Sequence, residues 1–138
     1  MSDEAANVAV LKDAYRRWHE TRGGSVDHWM TICHENIQFG SIAQGKPKIE
    51  YLTSYKARDE LKHYFEGLLR DWELIDYVVD NFVAQGDRVV MLGHTSWRAK
   101  RTGKVVDTPK ADAWRFENRK AVEFYEYFDT AQLVAAMA

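Results

Sequence analysis

The sequence has very few of the residues that cross-link or interrupt a chain: one cysteine, Cys33, and two prolines among 138 residues. A lone cysteine excludes an internal disulfide, and a chain of this length can bury a core without one. We therefore predict one domain, 1–138, in a reducing compartment. No apolar run is long enough to span a membrane, and Met1–Glu4 lacks the features of a signal peptide. These absences predict a cytoplasmic protein.

An excess of charge of one sign is also missing, because the net charge is only −2. The densest basic cluster, residues 98–104, surrounds a predicted turn, whereas nucleic-acid binding needs a broader positive face. We expect no nucleic-acid or membrane partner. The histidines lack metal-ligand spacing, and the chain has no glycine-rich phosphate loop. A protein without a metal or an organic cofactor is therefore predicted.

Aromatic residues, by contrast, are abundant: five Trp, seven Tyr and six Phe. Rings in such number fill a core or line a concave apolar pocket.

The first half of the chain shows helical periodicity. Apolar residues at steps of three and four predict a helix over about residues 4–20, and Ser25 is a suitable N-cap for a short second helix. A third helix is predicted over about 57–70, and residues 130–137 predict a short terminal helical turn.

Segments rich in Val, Trp, Tyr and Phe dominate the second half, with turn signals between them. The predicted strands are 35–43, 72–84, 88–100, 105–116 and 121–129. Helices followed by a strand meander indicate an α+β fold. We predict a cone-shaped, curved antiparallel sheet, a half-barrel, with three N-terminal helices closing a pocket.

Several short segments, in their order and spacing, carry a resemblance to a known family. They are residues 14–15 (AY), 34–39 (HENIQF), 85–90 (QGDRVV), 114–116 (WRF) and 124–131 (FYEYFDTA). The chain resembles the SnoaL-like and ketosteroid-isomerase-like branch of the nuclear-transport-factor-2-like superfamily, over nearly its whole length. Members of this superfamily include both enzymes and non-catalytic binders, so the resemblance implies the fold more firmly than the activity.

The resemblance implies roles for Tyr15 and Asp112. In the isomerases, an oxyanion-hole acid lies four residues before the phenylalanine of an Arg-Phe pair, as Asp112 lies before Phe116. The same enzymes have an oxyanion-hole tyrosine in the first helix, where this chain has Tyr15. A neutral acid and a phenol would together stabilise an enolate oxygen.

Two departures from the isomerase pattern affect this prediction. The isomerase base is an aspartate at the end of the first strand, where this chain has residues 39–41 (FGS) without a carboxylate. Strand alternation also places Lys110 on the same face as Asp112. An ion pair between these two residues would keep Asp112 ionised, so that it could act as a base but could not donate a hydrogen bond; alternatively, the pair is purely structural.

Two further residues are candidates for the missing base. Alternation along the last strand places Glu123, Tyr125, Tyr127 and Asp129 on one face, and the resemblance implies that this face lines the pocket. Asp129 is alternatively an N-cap for the terminal helical turn. His94 is a plausible base at neutral pH, and its orientation depends on which face of its strand points inward.

Aromatic residues and one lysine are the predicted ligand contacts: Trp18, Trp29, Phe39, Phe65, Trp97, Lys110, Trp114, Tyr125 and Tyr127. We predict acid–base chemistry of an isomerase or cyclase type on a small apolar carbonyl compound. The alternative is a non-catalytic small-molecule-binding protein of the same fold. The resemblance also implies a homodimer formed through the outer sheet face, and a third hypothesis assigns that face to a protein partner.

Overall fold

The computed structural model describes residues 3–138. In chain order, its elements are α1 Asp3–Glu20, α2 Val26–Ile32, β1 Cys33–Ser41, a 3-10 turn Arg58–Glu60, α3 Leu61–Asp71, β2 Trp72–Gln85, β3 Arg88–Ala99, β4 Val105–Glu117, β5 Lys120–Tyr127 and α4 Thr130–Ala136. Met1 and Ser2, part of the acidic N-terminal stretch, lie outside the described residues.

The observed elements agree closely with those predicted from periodicity. The four long strands each begin and end within two residues of the predicted bounds. The third helix differs at its start, because Arg58–Glu60 forms a 3-10 turn before α3 begins at Leu61. Ser25 occupies the N-cap position of α2 without a side-chain cap hydrogen bond.

The five strands form one sheet in the order β1-β5-β4-β3-β2, and this confirms the predicted α+β class. Strands β2 to β5 are antiparallel neighbours. Strand β1 instead runs parallel to β5 and places Ser41 opposite Glu126. The chain leaves β1 through a loop and α3 before the meander begins, so β1 reaches the far edge of the sheet and aligns with the last strand.

Irregular pairing bends the sheet. The β2–β3 register shifts between Leu74 and Asp76 and again between Val79 and Asn81. Such bulges increase local twist and curvature. Gly93 lies opposite Val79 at the second bulge, where an added Cβ would approach the Val78 carbonyl oxygen to 2.0 Å. Glycine is therefore required where the two backbones come closest.

The helices cover the inner face of this curved sheet. Leu11, Ala14, Tyr15 and Trp18 of α1 are buried, as their spacing predicts. Within residues 3–138, none of the helices combines the length and apolar character needed to cross a bilayer. The cytoplasmic location stays a prediction.

Candidate functional site

A cavity of about 90 Å³ lies between the helices and the inner face of the sheet. Its wall contains all five tryptophans of the chain: Trp18, Trp29, Trp72, Trp97 and Trp114. Drug-sized ligands occupy pockets of roughly 300–1,000 Å³. This cavity therefore suits a small ligand.

Most of the predicted ligand contacts lie in this wall: Trp18, Trp29, Phe39, Phe65, Trp97, Lys110 and Trp114. Their rings pack closely, and those of Trp29 and Trp114 stack with centroids 5.6 Å apart. Whether these residues bind a ligand stays a prediction.

Asp112 of β4 is 2% exposed and projects into the cavity wall with Lys110 and Trp114, as strand alternation predicts. Its Oδ2 accepts hydrogen bonds from the hydroxyls of Tyr15, at 2.6 Å, and Tyr77, at 2.9 Å. The ammonium group of Lys110 donates to Oδ1. Trp114 Nε1 donates to the Tyr15 hydroxyl oxygen at 2.9 Å. Asp112 therefore accepts three hydrogen bonds, as an ionised carboxylate does.

This arrangement differs from the implied oxyanion pair. Burial and the neighbouring Asp112 carboxylate raise the pKa values of Tyr15 and Tyr77 well above 10, so both phenols stay protonated. Their protons point at Asp112 rather than at a ligand oxygen. Asp112 holds the two phenols and Lys110 in place.

Glu126 of β5 is the second buried carboxylate of the cavity wall, 2% exposed. Its Oε1 accepts a hydrogen bond from the Tyr64 hydroxyl at 2.8 Å and lies 3.3 Å from Lys110 Nζ. Its Oε2 is buried and has no hydrogen-bond partner within residues 3–138. Burial raises the pKa of Glu126 and Asp112 reinforces that rise, whereas Lys110 and the side chains of Ser41 and Tyr64 oppose it.

Lys110 links the two carboxylates, and we call Asp112, Lys110 and Glu126 the charged cluster. Burial lowers the pKa of Lys110, but Asp112 and Glu126 outweigh this effect and leave the pKa raised. The ammonium group is therefore protonated, and it lies about 6 Å from the ring centroids of Phe124 and Phe128. The cluster combines a cation with a buried carboxylate whose Oε2 has no hydrogen-bond partner within residues 3–138.

Asp129 lies outside the cavity wall, and the prediction that it shares a pocket face with Tyr125 and Tyr127 is wrong. The inward residues near the end of β5 are Phe124 and Glu126, followed by Phe128. Asp129 is exposed, and its carboxylate accepts the backbone N–H of Gln132 at 3.1 Å as the N-cap of α4.

Tyr125 and Tyr127 lie on the outer face of the sheet, so the structure also contradicts their predicted place in the pocket. Their ring centroids are 4.9 Å apart, and Tyr127 is 45% exposed.

His94 also faces away from the cavity. Thr95 and Trp97 of β3 line the cavity whereas His94, next to Thr95 on the strand, does not, so its side chain has the opposite orientation. Its side chain is 45% exposed and lies 3.9 Å from Asp80 across the outer face.

Sequence reasoning missed Glu126, Tyr64 and Tyr77. Glu126 stands between Phe124 and Phe128, and its position among inward aromatic residues was the available signal. Tyr64 lies on the apolar face of α3. Tyr77 lies between the two register shifts of β2, where simple alternation is interrupted.

Residues 11–124 match the model of the SnoaL-like domain family. The chain belongs to this family. No curated protein matches the sequence.

Solved structures share the fold at low sequence identity. A nuclear-transport-factor-2-like protein of unknown function from Burkholderia pseudomallei is 21% identical, with a TM-score of 0.82 and coverage of 100% of this chain and 99% of that one. A candidate SnoaL-like polyketide cyclase from Jannaschia is 16% identical, with a TM-score of 0.77 and coverage of 99% and 94%. A protein of ketosteroid-isomerase-like fold from Catenulispora acidiphila, in complex with trimethylamine, is 11% identical, with a TM-score of 0.74 and coverage of 92% and 90%.

Proposed function

We propose that the SnoaL-like chain is a proton-transfer enzyme acting on a small, mostly apolar carbonyl compound without a metal or an organic cofactor. Glu126 removes a proton from the carbon beside the carbonyl group, and Lys110 stabilises the oxygen that becomes negative. One observation carries this proposal: the buried Oε2 of Glu126 has no hydrogen-bond partner within the described chain and belongs to a group that lines the cavity beside Lys110.

Lys110 has the capacity to bind the carbonyl oxygen. An ammonium group has three N–H donors, and the contacts of Lys110 with Asp112 and Glu126 leave one donor for a ligand. A positive charge fixed in a water-poor site stabilises a developing oxyanion more strongly than it would in water.

The proposed reaction moves one proton from the substrate to Glu126 and back to the substrate. Glu126 accepts the α-proton and becomes a neutral acid, while the electron pair of the C–H bond forms an enolate held by Lys110. In a substrate whose enolate is conjugated with a C=C bond, return of the proton to the far carbon of that bond gives an isomer and restores the carboxylate. A raised pKa suits Glu126 to both steps.

The position of Glu126 compensates for the carboxylate that the end of β1 lacks. Ser41, near the place where the isomerases have their aspartate, pairs with Glu126 on the neighbouring strand. The proposed base, Glu126 of β5, thus lies beside the position at the end of β1 where the isomerases have their aspartate.

A non-catalytic binding role is the second candidate. The aromatic wall supports it, and two solved relatives of the same fold hold trimethylamine or were co-crystallised with polyporic acid. Under this alternative, the cavity binds a small molecule but Glu126 exchanges no proton with it.

Hydrogen–deuterium exchange separates the two candidates. The α-protons of 2-indanone in D₂O would be followed by NMR with wild type, Glu126→Gln and Glu123→Gln. Glu123 lies on the same strand, faces outward and pairs with Arg115, so it is a matched control. We expect Glu126→Gln to lose about 100-fold or more of the catalysed exchange, and Glu123→Gln to keep it. Equal exchange by all three proteins would contradict the proposed role of Glu126.

We also propose a homodimer through the outer sheet face. Leu92 and Tyr127 are 39% and 45% exposed there, which supports a contact surface. Sedimentation equilibrium would measure the mass, and Tyr127→Lys is expected to shift a dimer toward monomer because it places a charge in an apolar contact. A monomeric wild type at micromolar concentration would contradict the dimer.

A further inference from the structure

The mouth of the cavity lies beside α4. Nearly all residues that line the cavity are buried; the partly exposed ones are Lys110, Phe128 and Leu133. Solvent therefore reaches the cavity at this point. We propose that α4 and Phe128 form the outer wall of the cavity mouth, held in place at both ends of α4, and that Phe128 and Leu133 determine by size which ligands enter.

The start of this wall is firmly fixed. The Asp129 carboxylate caps α4, and the Asp129 backbone N–H donates to the hydroxyl of Thr108 at 2.9 Å. A helix of seven residues is too short to be stable alone, so its position depends on such attachments. The start of α4 is therefore the anchored end of the wall.

The far end of the wall is held by the turn between β3 and β4. Arg101 donates to the Met137 carbonyl oxygen, and the Thr102 hydroxyl donates to the Ala136 carbonyl oxygen at 2.5 Å. Lys104 Nζ donates to the backbone oxygen of Ala138 at 3.0 Å. We call these three hydrogen bonds the latch.

The latch gives a structural role to the basic cluster at residues 98–104. Carbonyl groups in the last turn of a helix have no partner within the helix, and side-chain donors commonly satisfy them. Arg101 and Lys104 are exposed, so water can replace them when the wall opens. Opening at this end is opposed by the packing of Ala136 and Met137, which are 4% and 6% exposed and belong to the core.

The wall controls the route to the charged cluster. The ring centroid of Phe128 lies 6.0 Å from Lys110 Nζ, and Leu133 of α4 lies across the same opening. A ligand that reaches Lys110 and Glu126 passes these two side chains. The inference concerns access alone and does not depend on the proposed proton transfer.

Acrylamide quenching of tryptophan fluorescence tests the inference without a known ligand. All five tryptophans line the cavity and are at most 9% exposed, so acrylamide quenches them through openings of the wall. We expect Arg101→Ala/Thr102→Val to raise the quenching rate constant about threefold or more. Arg98→Ala is the matched control, because Arg98 lies just before the same turn but pairs with Glu73. A thermal melt would show that each variant is folded.

A second pair of variants, Leu133→Ala and Val134→Ala, tests the inference even if the latch variant does not fold. Leu133→Ala removes a side chain from the cavity wall, whereas Val134→Ala truncates its neighbour on α4 outside that wall. Faster quenching in either wall variant than in its control supports the inference. Quenching at the control rate in Leu133→Ala and in every folded latch variant would overturn it.

Discussion

At the scale of single residues, two buried carboxylates of the same cavity have different tasks. Asp112 accepts hydrogen bonds from Tyr15, Tyr77 and Lys110, and these contacts fix its charge and position. Glu126 keeps one oxygen without a partner within the described chain. The two carboxylates differ in how completely their oxygens are hydrogen-bonded. This difference makes Asp112 the positioning group and Glu126 the proposed base.

The same substitution at two aspartates tests the structural role of Asp112. Asp112→Asn removes the negative charge beside buried Lys110, so we expect a loss of about 3 kcal/mol in the free energy of unfolding. Asp129→Asn should cost less than about 0.5 kcal/mol, because asparagine is an equally good N-cap. Urea denaturation measures both. A loss at Asp112 no larger than that at Asp129 would show that the buried contacts contribute little.

At the scale of elements, periodicity predicted nearly every helix and strand but did not predict which residues share the cavity. Alternation worked on β4, where Lys110, Asp112 and Trp114 face inward. On β5 it correctly put Tyr125 and Tyr127 on one face, but the assignment of that face to the pocket was wrong, because the choice between the two faces depends on pairing with β1 and β4. Asp129 follows the end of β5, where strand alternation no longer applies.

The close approach of β2 and β3 at the second bulge predicts that replacing Gly93 lowers the stability of the fold. Gly93→Ala would force a backbone shift at the Val78 carbonyl, and we expect a loss of more than about 2 kcal/mol in the free energy of unfolding. Gly86→Asn is the comparison, since Gly86 has φ +59° and open space around it. Asparagine tolerates that conformation, so its cost should stay below about 1 kcal/mol. Equal losses in chemical denaturation would contradict a steric requirement at Gly93.

At the scale of the whole molecule, the fold followed from the sequence, but the charged cluster did not. Its members come from β4 and β5, while the tyrosines that contact it come from α1, β2 and α3. Contacts such as Tyr15 with Asp112, 97 residues apart, depend on how the helices cover the sheet. Composition indicated an aromatic pocket but could not place a free carboxylate oxygen within it.

Burial of Glu126 predicts a particular dependence of stability on pH. A raised pKa means that the folded state binds this proton more tightly than the unfolded state, whose ordinary value is 4.5. The contribution of this proton to stability is therefore fully present below pH 4.5 and is lost as the pH rises through the folded pKa. Compared with Glu126→Gln, wild type should lose unfolding free energy over that range. A difference between the two proteins that does not change with pH would contradict this.

The proposed function requires that Glu126 is a buried carboxylate able to hold a proton beside Lys110. The most direct test is NMR of the ¹³C-labelled side-chain carboxyl carbons, followed from acidic to neutral pH, with Glu126→Gln used to assign the Glu126 signal. We predict that this signal titrates with an apparent pKa above the ordinary value of 4.5. A midpoint at or below 4.5 would show that Glu126 holds its proton no better than an exposed glutamate, and it would contradict the account.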